Sequence, residues 1–379
     1  MVRETLNIAF LIDEKIAEGR LNYLLSLISG LSLIKNKRYQ AIVFCSYKTD
    51  VNFFKNNKIK YVRTVLLNKK GLFYFALRFA KIFFKKNLYF EFLFKFYNIN
   101  ILSHSDDVLF SNIKKIGWIG DFQYLHYPEY FGAKSVNRHK RIHERIARLS
   151  DRVILSSNSV FIHYKKIFPS YLQKVSILNF VPNIIEPKKL LSFEDLKNKY
   201  NFSNNYYYIP NQFWKHKNHL CVIEALNLLK KKNYNPLVIC SGSISDYRNL
   251  NYFNYIFKKV EKYNLNNFLI LGKIDYSDVC SFIWHSTAVI NPSLFEGWST
   301  SVEESKIYNK QLILSDIDTH REQNPKKVKY FNPNKPNELA KIIYNVDMKK
   351  NDNLFNKSYY VKIKANFAVN YKKIIDAVV

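Results

Sequence analysis

The chain has 379 residues, 47% of them hydrophobic and 16% aromatic, which is apolar surface enough for two domains and too much for a disordered chain. Cys45, Cys221, Cys240 and Cys280 form no CxxC pair and no His/Cys cluster at zinc spacing, which argues against a structural metal and for small core residues in a reducing compartment. The formal net charge of +29 favours polyanionic partners such as anionic lipid, nucleic acid or phosphorylated substrates; an A/T-rich coding bias toward Lys, Asn, Ile, Tyr and Phe explains the excess equally well.

The N-terminus enters Leu6 to Ile12 directly, a first strand rather than a signal peptide, and no stretch of 18 apolar residues predicts a spanning helix. A cytoplasmic protein is expected, or one peripheral on the cytoplasmic face of the inner membrane. Further strands are predicted at Ala41 to Cys45, Ile99 to Ser103, Ile116 to Ile119, Val153 to Ser157 and Val175 to Phe180, with helices at Leu21 to Ile34 and Arg138 to Leu149. Two prolines interrupt the periodicity between Phe180 and Pro187, marking a linker. Beyond it, strands are predicted at Tyr206 to Asn211, Pro236 to Ser241, Asn267 to Leu271, Ala288 to Asn291 and Gln311 to Ser315. Helices are predicted at Asn218 to Lys231, Tyr252 to Tyr263, Ser277 to Trp284 and Ser301 to Tyr308. Alternation of this kind predicts βαβ units and parallel sheets in two Rossmann-type layers.

Charge divides unevenly, with 30 Lys and Arg against 12 Asp and Glu in residues 1–185 and 29 against 18 in the remainder. Lys69 to Lys95 mixes seven basic residues with ten Phe and Tyr, and Arg78, Lys81 and Lys85 share a helical face. Such a segment suits an anionic membrane interface, or a buried crossover helix with snorkelling lysines.

The strongest local signal is Asn291-Pro-Ser-Leu-Phe295-Glu296-Gly297-Trp298-Ser299-Thr300-Ser-Val-Glu303-Glu304, between a buried strand and a helix. Anions collect at such junctions, where helix N-termini present free amides. A capping box at Ser301-x-x-Glu304 or Thr300-x-x-Glu303 explains the glutamates without a ligand. A second junction, Tyr208-Ile-Pro-Asn-Gln212-Phe-Trp-Lys215-His-Lys217-Asn-His219, also follows a strand and opens a helix. Leu271-Gly-Lys-Ile274-Asp-Tyr-Ser-Asp-Val279 and Ser241-Gly-Ser243 are further turns at strand ends.

The first of these blocks resembles glycosyltransferase family 4, whose members carry Pro-Ser-x-x-Glu-Gly-x6-Glu, and Leu314-Ser-Asp-Ile-Asp-Thr-His-Arg-Glu322 is similar to the same family. The resemblance runs continuously from about residue 206 to 340 and in patches before that. It implies a GT-B architecture, α/β, with two Rossmann-like domains whose parallel sheets face a central cleft: an acceptor-binding domain 1–185, a nucleotide-sugar-binding domain 186–358, and a helix 359–379 returning to the first. It implies that Glu296 bonds sugar hydroxyls and Glu304 the ribose, and that Lys217 holds the donor diphosphate. Gln212 stands where many relatives have Arg, so Lys215 or His216 would share that load. Ile274, Phe295, Gly297, Trp298, Ser299 and Thr300 complete the implied donor site.

On the acceptor side, Trp118-Ile-Gly-Asp121-Phe-Gln123-Tyr-Leu-His126 looks like the family segment after a central strand, with Gly120-Asp121 where many relatives have His-Asp. Asp121 and His126 are therefore catalytic candidates beside Glu296, and Gln123, with Gly19 and Arg20 of a reduced glycine loop, lies on the acceptor side. The activity implied is retaining and metal-independent, without a cofactor, moving sugar from a nucleotide-sugar to a glycan or lipid-linked acceptor in bacterial surface polysaccharide synthesis such as lipopolysaccharide or capsule. A non-catalytic nucleotide-sugar-binding module and a basic nucleic-acid binder are the competing readings; neither has a comparable motif, and no nucleic acid is expected.

Overall fold

The structure, a computed structural model, describes residues 5–14, 16, 18–34, 38–68, 75, 88–106, 113–246, 248–346 and 354–379. The chain divides into two compact units, one of Met1–Phe122, Asn137–Asn183 and Val361–Val379, the other of Gln123–Val136 and Ile184–Tyr360.

The first unit is built on a parallel seven-stranded sheet of β1 (Leu6–Ile12), β2 (Tyr39–Cys45), β3 (Lys60–Arg63), β4 (Ile99–Ser103), β5 (Lys114–Ile119), β6 (Arg152–Leu155) and β7 (Val175–Ile177), in the order β3-β2-β1-β4-β5-β6-β7. The second holds a parallel six-stranded sheet of β8 (Tyr206–Ile209), β9 (Leu237–Cys240), β10 (Phe268–Ile270), β11 (Ala288–Asn291), β12 (Leu312–Ser315) and β13 (Val328–Phe331), in the order β10-β9-β8-β11-β12-β13. Each sheet reverses its winding once, between β1 and β4 in the first and between β8 and β11 in the second. Such reversals leave a crevice at the carboxyl ends of the strands.

The second sheet is covered on both faces, and its strands show why. Tyr207, Ile209, Val238, Ile290 and Ile313 feed one apolar cluster with Val222, Leu226 and Ile343, while Tyr206, Tyr208, Ile239, Val289, Leu312 and Leu314 feed another with Phe282 and Val302. Successive side chains of a strand point to opposite faces, so a run with no polar residue must be buried on both. The three adjacent tyrosines of β8 keep their hydroxyls paired: Tyr206 donates to the Phe282 carbonyl, Tyr207 to that of Ile343, and Tyr208 meets Ser241 Oγ.

The expected strands and helices are found with their ends shifted, β2 and β5 beginning two residues earlier and others trimmed for identifiable reasons. β8 stops at Ile209 because Pro210 has no N–H to donate. β6 stops at Leu155 because Ser157 caps the helix Asn158–Ile167, its Oγ accepting from Val160 N at 3.1 Å. β3 and β13, at sheet edges, were not anticipated; Lys60–Arg63 buries none of its residues fully and lacks an apolar run. Residues 178–186 carry no regular structure, and the division between units falls at Asn183/Ile184.

Of the basic aromatic stretch 69–95, residues 69–74 and 76–87, with Arg78, Lys81 and Lys85, lie outside the described residues. The helix Leu88–Phe96 buries Phe90 and Phe94 in a cluster with Phe44 and leaves Phe92 and Phe96 exposed. Among the described residues no helix is long and apolar enough to cross a membrane. All four cysteines are buried and free.

Candidate functional site

At the reversal point of the second sheet, the loops after β8 and β11 are tied together by side chains. Asn291, fully buried at the end of β11, accepts from Asn211 Nδ2 at 3.2 Å and from Ser293 Oγ at 2.6 Å, and donates to Ser299 Oγ at 2.8 Å. Asn218 adopts φ +55°, the left-handed region that Asn tolerates, and its amide donates to the carbonyls of Pro292 at 3.1 Å and Pro333 at 2.9 Å. Three loops are thereby held at one end of the sheet.

Into this frame the chain places Lys217 and Glu296. Lys217 Nζ donates to Glu296 Oε1 at 2.6 Å, and Ser293 Oγ donates to the same oxygen at 2.6 Å. The two charged side chains are only 16% and 8% exposed. Burial would raise the Glu296 carboxyl, but the charge of Lys217, assisted by His320 and by the two hydrogen bonds, outweighs it and holds the group below its usual range. Thr319 Oγ1 donates to the Glu296 carbonyl at 2.7 Å, fixing the backbone.

The second acid of the motif is placed otherwise. Glu304 is buried on the helix Thr300–Ile307 and accepts from the Tyr276 hydroxyl at 2.8 Å; burial pushes its carboxyl up to about 7. The capping box does not form. Ser299 occupies the N-cap without capping, its hydroxyl engaged by Asn291, while Glu303 accepts from Lys306 at 2.9 Å and Gln323 at 2.8 Å.

Of the other donor candidates, Gln212 is half-buried and its Oε1 takes no hydrogen bond. Lys215 is exposed, its Nζ 4.7 Å from the centre of the Tyr130 ring. Ile274 packs at the margin of the Tyr208 cluster, the Phe295 ring lies tilted 5.0 Å from that of His126, and Gly297 is buried beside half-buried Trp298. Thr300 opens the helix. His216 is buried, its Nδ1 without a partner, and burial lowers its pKa well below the usual value.

Residues 123–131 belong to the second unit and lie against these loops. Gln123 Oε1 accepts from Arg248 at 3.1 Å, and the Arg248 guanidinium sits 4.5 Å from the Trp214 ring and 5.2 Å from that of Phe131. Asp246 holds the same guanidinium through two hydrogen bonds, at 2.8 and 3.1 Å. The sequence reading missed Asp246 and Arg248, which sit in a polar run that reads as a turn, and gave no individual role to Tyr276, Asn211, Asn218 and Asn291, which lie inside its motifs. Gly242 allows the β9 turn to approach: at φ +143°, a Cβ there would stand 2.6 Å from the Asn211 carbonyl oxygen.

Asp121, Gly19 and Arg20 lie in the first unit. Gly19 and Arg20 are in the first turn of the helix Glu18–Ser32, and Arg20 donates to Asp106 at 3.0 and 3.1 Å and to the His104 carbonyl at 2.7 Å. His104, buried at the end of β4, bonds Tyr23 Oη at 2.8 Å and Ser103 Oγ at 2.7 Å; burial first, and Arg20 second, bring its pKa down to about 3. Among the described residues no cluster of His, Cys, Asp and Glu has the makings of a metal site.

Comparison with solved structures finds the same fold across the chain. A glycosyltransferase from Rickettsia africae is 18% identical with a TM-score of 0.65, covering 99% of this chain and 94% of the other. HepE from Anabaena, solved with UDP and glucose, is 14% identical with a TM-score of 0.67, covering 98% and 97%. WaaG, a glycosyltransferase involved in lipopolysaccharide biosynthesis, is 12% identical with a TM-score of 0.63, covering 99% of each. A sequence search among curated proteins finds no match. The fold is thus that of the GT-B glycosyltransferases, and residues 192–353, which include Lys217, Glu296 and Glu304, match the family model of glycosyl transferases group 1.

Proposed function

We propose that this chain is a retaining glycosyltransferase that moves a sugar from a nucleotide-sugar to a glycan or lipid-linked acceptor. The observation that carries the reading is the buried Lys217 and Glu296 pair at the reversal point of the second sheet, within the segment that matches the group 1 family. Solved structures of HepE with UDP, with UDP and glucose, and with UDP-glucose support a nucleotide-sugar as the donor.

In this reading the donor diphosphate meets Lys217, Gln212 and the N-terminal amides of the helix Thr300–Ile307, which no side chain caps. As the bond from sugar to diphosphate breaks, negative charge gathers on the leaving group, and a preorganised ammonium stabilises it more than the ground state. That cationic work falls to Lys217 rather than to a metal ion. Glu296, kept ionised by its neighbours, receives sugar hydroxyls, and Glu304 receives those of the ribose. The acceptor hydroxyl attacks from the face the leaving group vacates and gives its proton to the departing diphosphate oxygen, which preserves anomeric configuration. The acceptor is assigned to the first unit, through Gly19, Arg20 and Asp121. A lipid-linked surface glycan at the cytoplasmic membrane face suits the basic, aromatic first half.

The test is release of nucleoside diphosphate from a panel of UDP-, GDP- and ADP-sugars with lipid-linked acceptors. Glu296→Gln and Lys217→Ala should each lose at least about a hundredfold in rate. Wild-type rates in these variants, or an inverted anomer by NMR, would overturn the reading.

A further inference from the structure

The two acids of the 291–304 block occupy opposite electrostatic surroundings, one facing an ammonium and the other a phenol. Glu296 has Lys217 at 2.6 Å. Glu304 takes a single side-chain hydrogen bond among the described residues, from Tyr276 Oη to Oε1 at 2.8 Å, which leaves Oε2 without one. The titratable groups that reach Glu304 are Tyr208 on β8, Tyr276 and Cys280 on the helix Tyr276–His285, and Tyr308 just after its own helix. All four are neutral at physiological pH. Its chain neighbour Glu303 is engaged by Lys306 and Gln323.

A carboxylate only 4% exposed with one donor at one oxygen is under-satisfied, because it has lone pairs for several. Hydroxyl donors of a ligand supply the missing partners. The phenol and the carboxylate come from helices that follow β10 and β11, strands separated by β9 and β8 in the sheet. Both helices pack on the same face, around Tyr206, Tyr208 and Val289. Tyr276 therefore spans from one helix to the next and fixes a side chain that nothing else hydrogen-bonds.

We propose that Tyr276 is a positioning residue of the nucleotide site: its hydroxyl holds Oε1 of Glu304 so that Oε2 is left to accept from the ribose diol of the donor. The inference rests on the assignment of Glu304 to the ribose made above. It carries a pH consequence. Loss of the phenol donor removes the one hydrogen bond that favours the ionised carboxylate, so Glu304 titrates higher and the nucleotide meets a protonated acid over more of the neutral range.

The experiment compares wild type with Tyr276→Phe and Glu304→Gln. UDP binding is measured by calorimetry from pH 5.5 to 8.5, with GDP and ADP alongside, and the ligand-free titration of Glu304 is followed by ¹³C NMR of labelled glutamate carboxyls. Tyr276→Phe should weaken nucleotide binding by about tenfold near pH 7, with the loss shrinking toward pH 8.5, and raise the Glu304 midpoint. Glu304→Gln should bind weakly with a flat profile. A merely structural tyrosine would lower thermal stability and weaken binding equally at every pH, which overturns the proposal; so does an unshifted NMR midpoint. Failure of every nucleotide to bind wild type overturns the ribose assignment instead, and the proposal with it. The NMR midpoint still reports separately whether Tyr276 governs Glu304.

Discussion

Replacing Lys217 by Met keeps the length of the side chain and removes its charge, leaving Glu296 8% exposed with Ser293 as its remaining hydrogen-bond donor. Breaking a buried pair by deleting one partner costs about 3–5 kcal/mol, because the surviving charge stays desolvated. For a unit of this size that lowers Tm by roughly 6–20 °C. The pH dependence changes sign with the substitution. In wild type the Glu296 carboxyl is held below its ordinary 4.5, so it stabilises the fold above that value and the contribution is lost as pH falls through the lowered pKa. Without Lys217, burial dominates and the pKa rises above 4.5, so the destabilisation is present at neutral pH and is relieved as the acid is protonated. Thermal melts from pH 4 to 8 should show the gap between wild type and Lys217→Met narrowing toward acid. The double variant Lys217→Met/Glu296→Gln should recover most of the loss at pH 7. A gap independent of pH, or a double variant no better than the single, would refute the argument that the ammonium neutralises a buried carboxylate.

Gly242→Ala places a methyl 2.6–2.7 Å from the backbone of Asn211 and Gln212 at φ +143°, so it should cost about 2–4 kcal/mol in denaturant unfolding and displace the donor loop, with loss of nucleotide binding. Glu304→Gln should raise stability at pH 8 by up to about 3 kcal/mol and leave it unchanged at pH 4, because a group lifted from 4.5 to about 7 stabilises below its unfolded value and loses that contribution as pH rises through the folded one; equal melts at pH 8 would contradict the burial argument. Arg248→Met leaves Asp246 buried without its cation and uncovers the Trp214 ring, so a loss of about 3–5 kcal/mol should come with a change in tryptophan emission.

Much of the scaffold was legible because its signals are local. Three tyrosines and an isoleucine in a row, or Ala-Val-Ile-Asn, can only be strands buried on both faces, and the polar junctions after them mark where a parallel sheet presents its loops. The Glu-x7-Glu spacing was equally visible, and so was the alternative that it merely caps a helix. The sequence by itself determined that there are two layered α/β units and which loops stand at their strand ends. Tertiary structure alone decided that Glu296 keeps its charge while Glu304 titrates near neutrality, because Lys217 reaches Glu296 from 79 residues away whereas at Glu304 burial outweighs the hydrogen bond from Tyr276, and a pKa follows burial and neighbours rather than spacing. It also decided that Arg248, in a run that reads as a turn, meets Gln123 from 125 residues away, and that Lys60–Arg63 forms a strand: an edge strand shares its hydrogen bonds on one side only and needs no continuous apolar run to announce it.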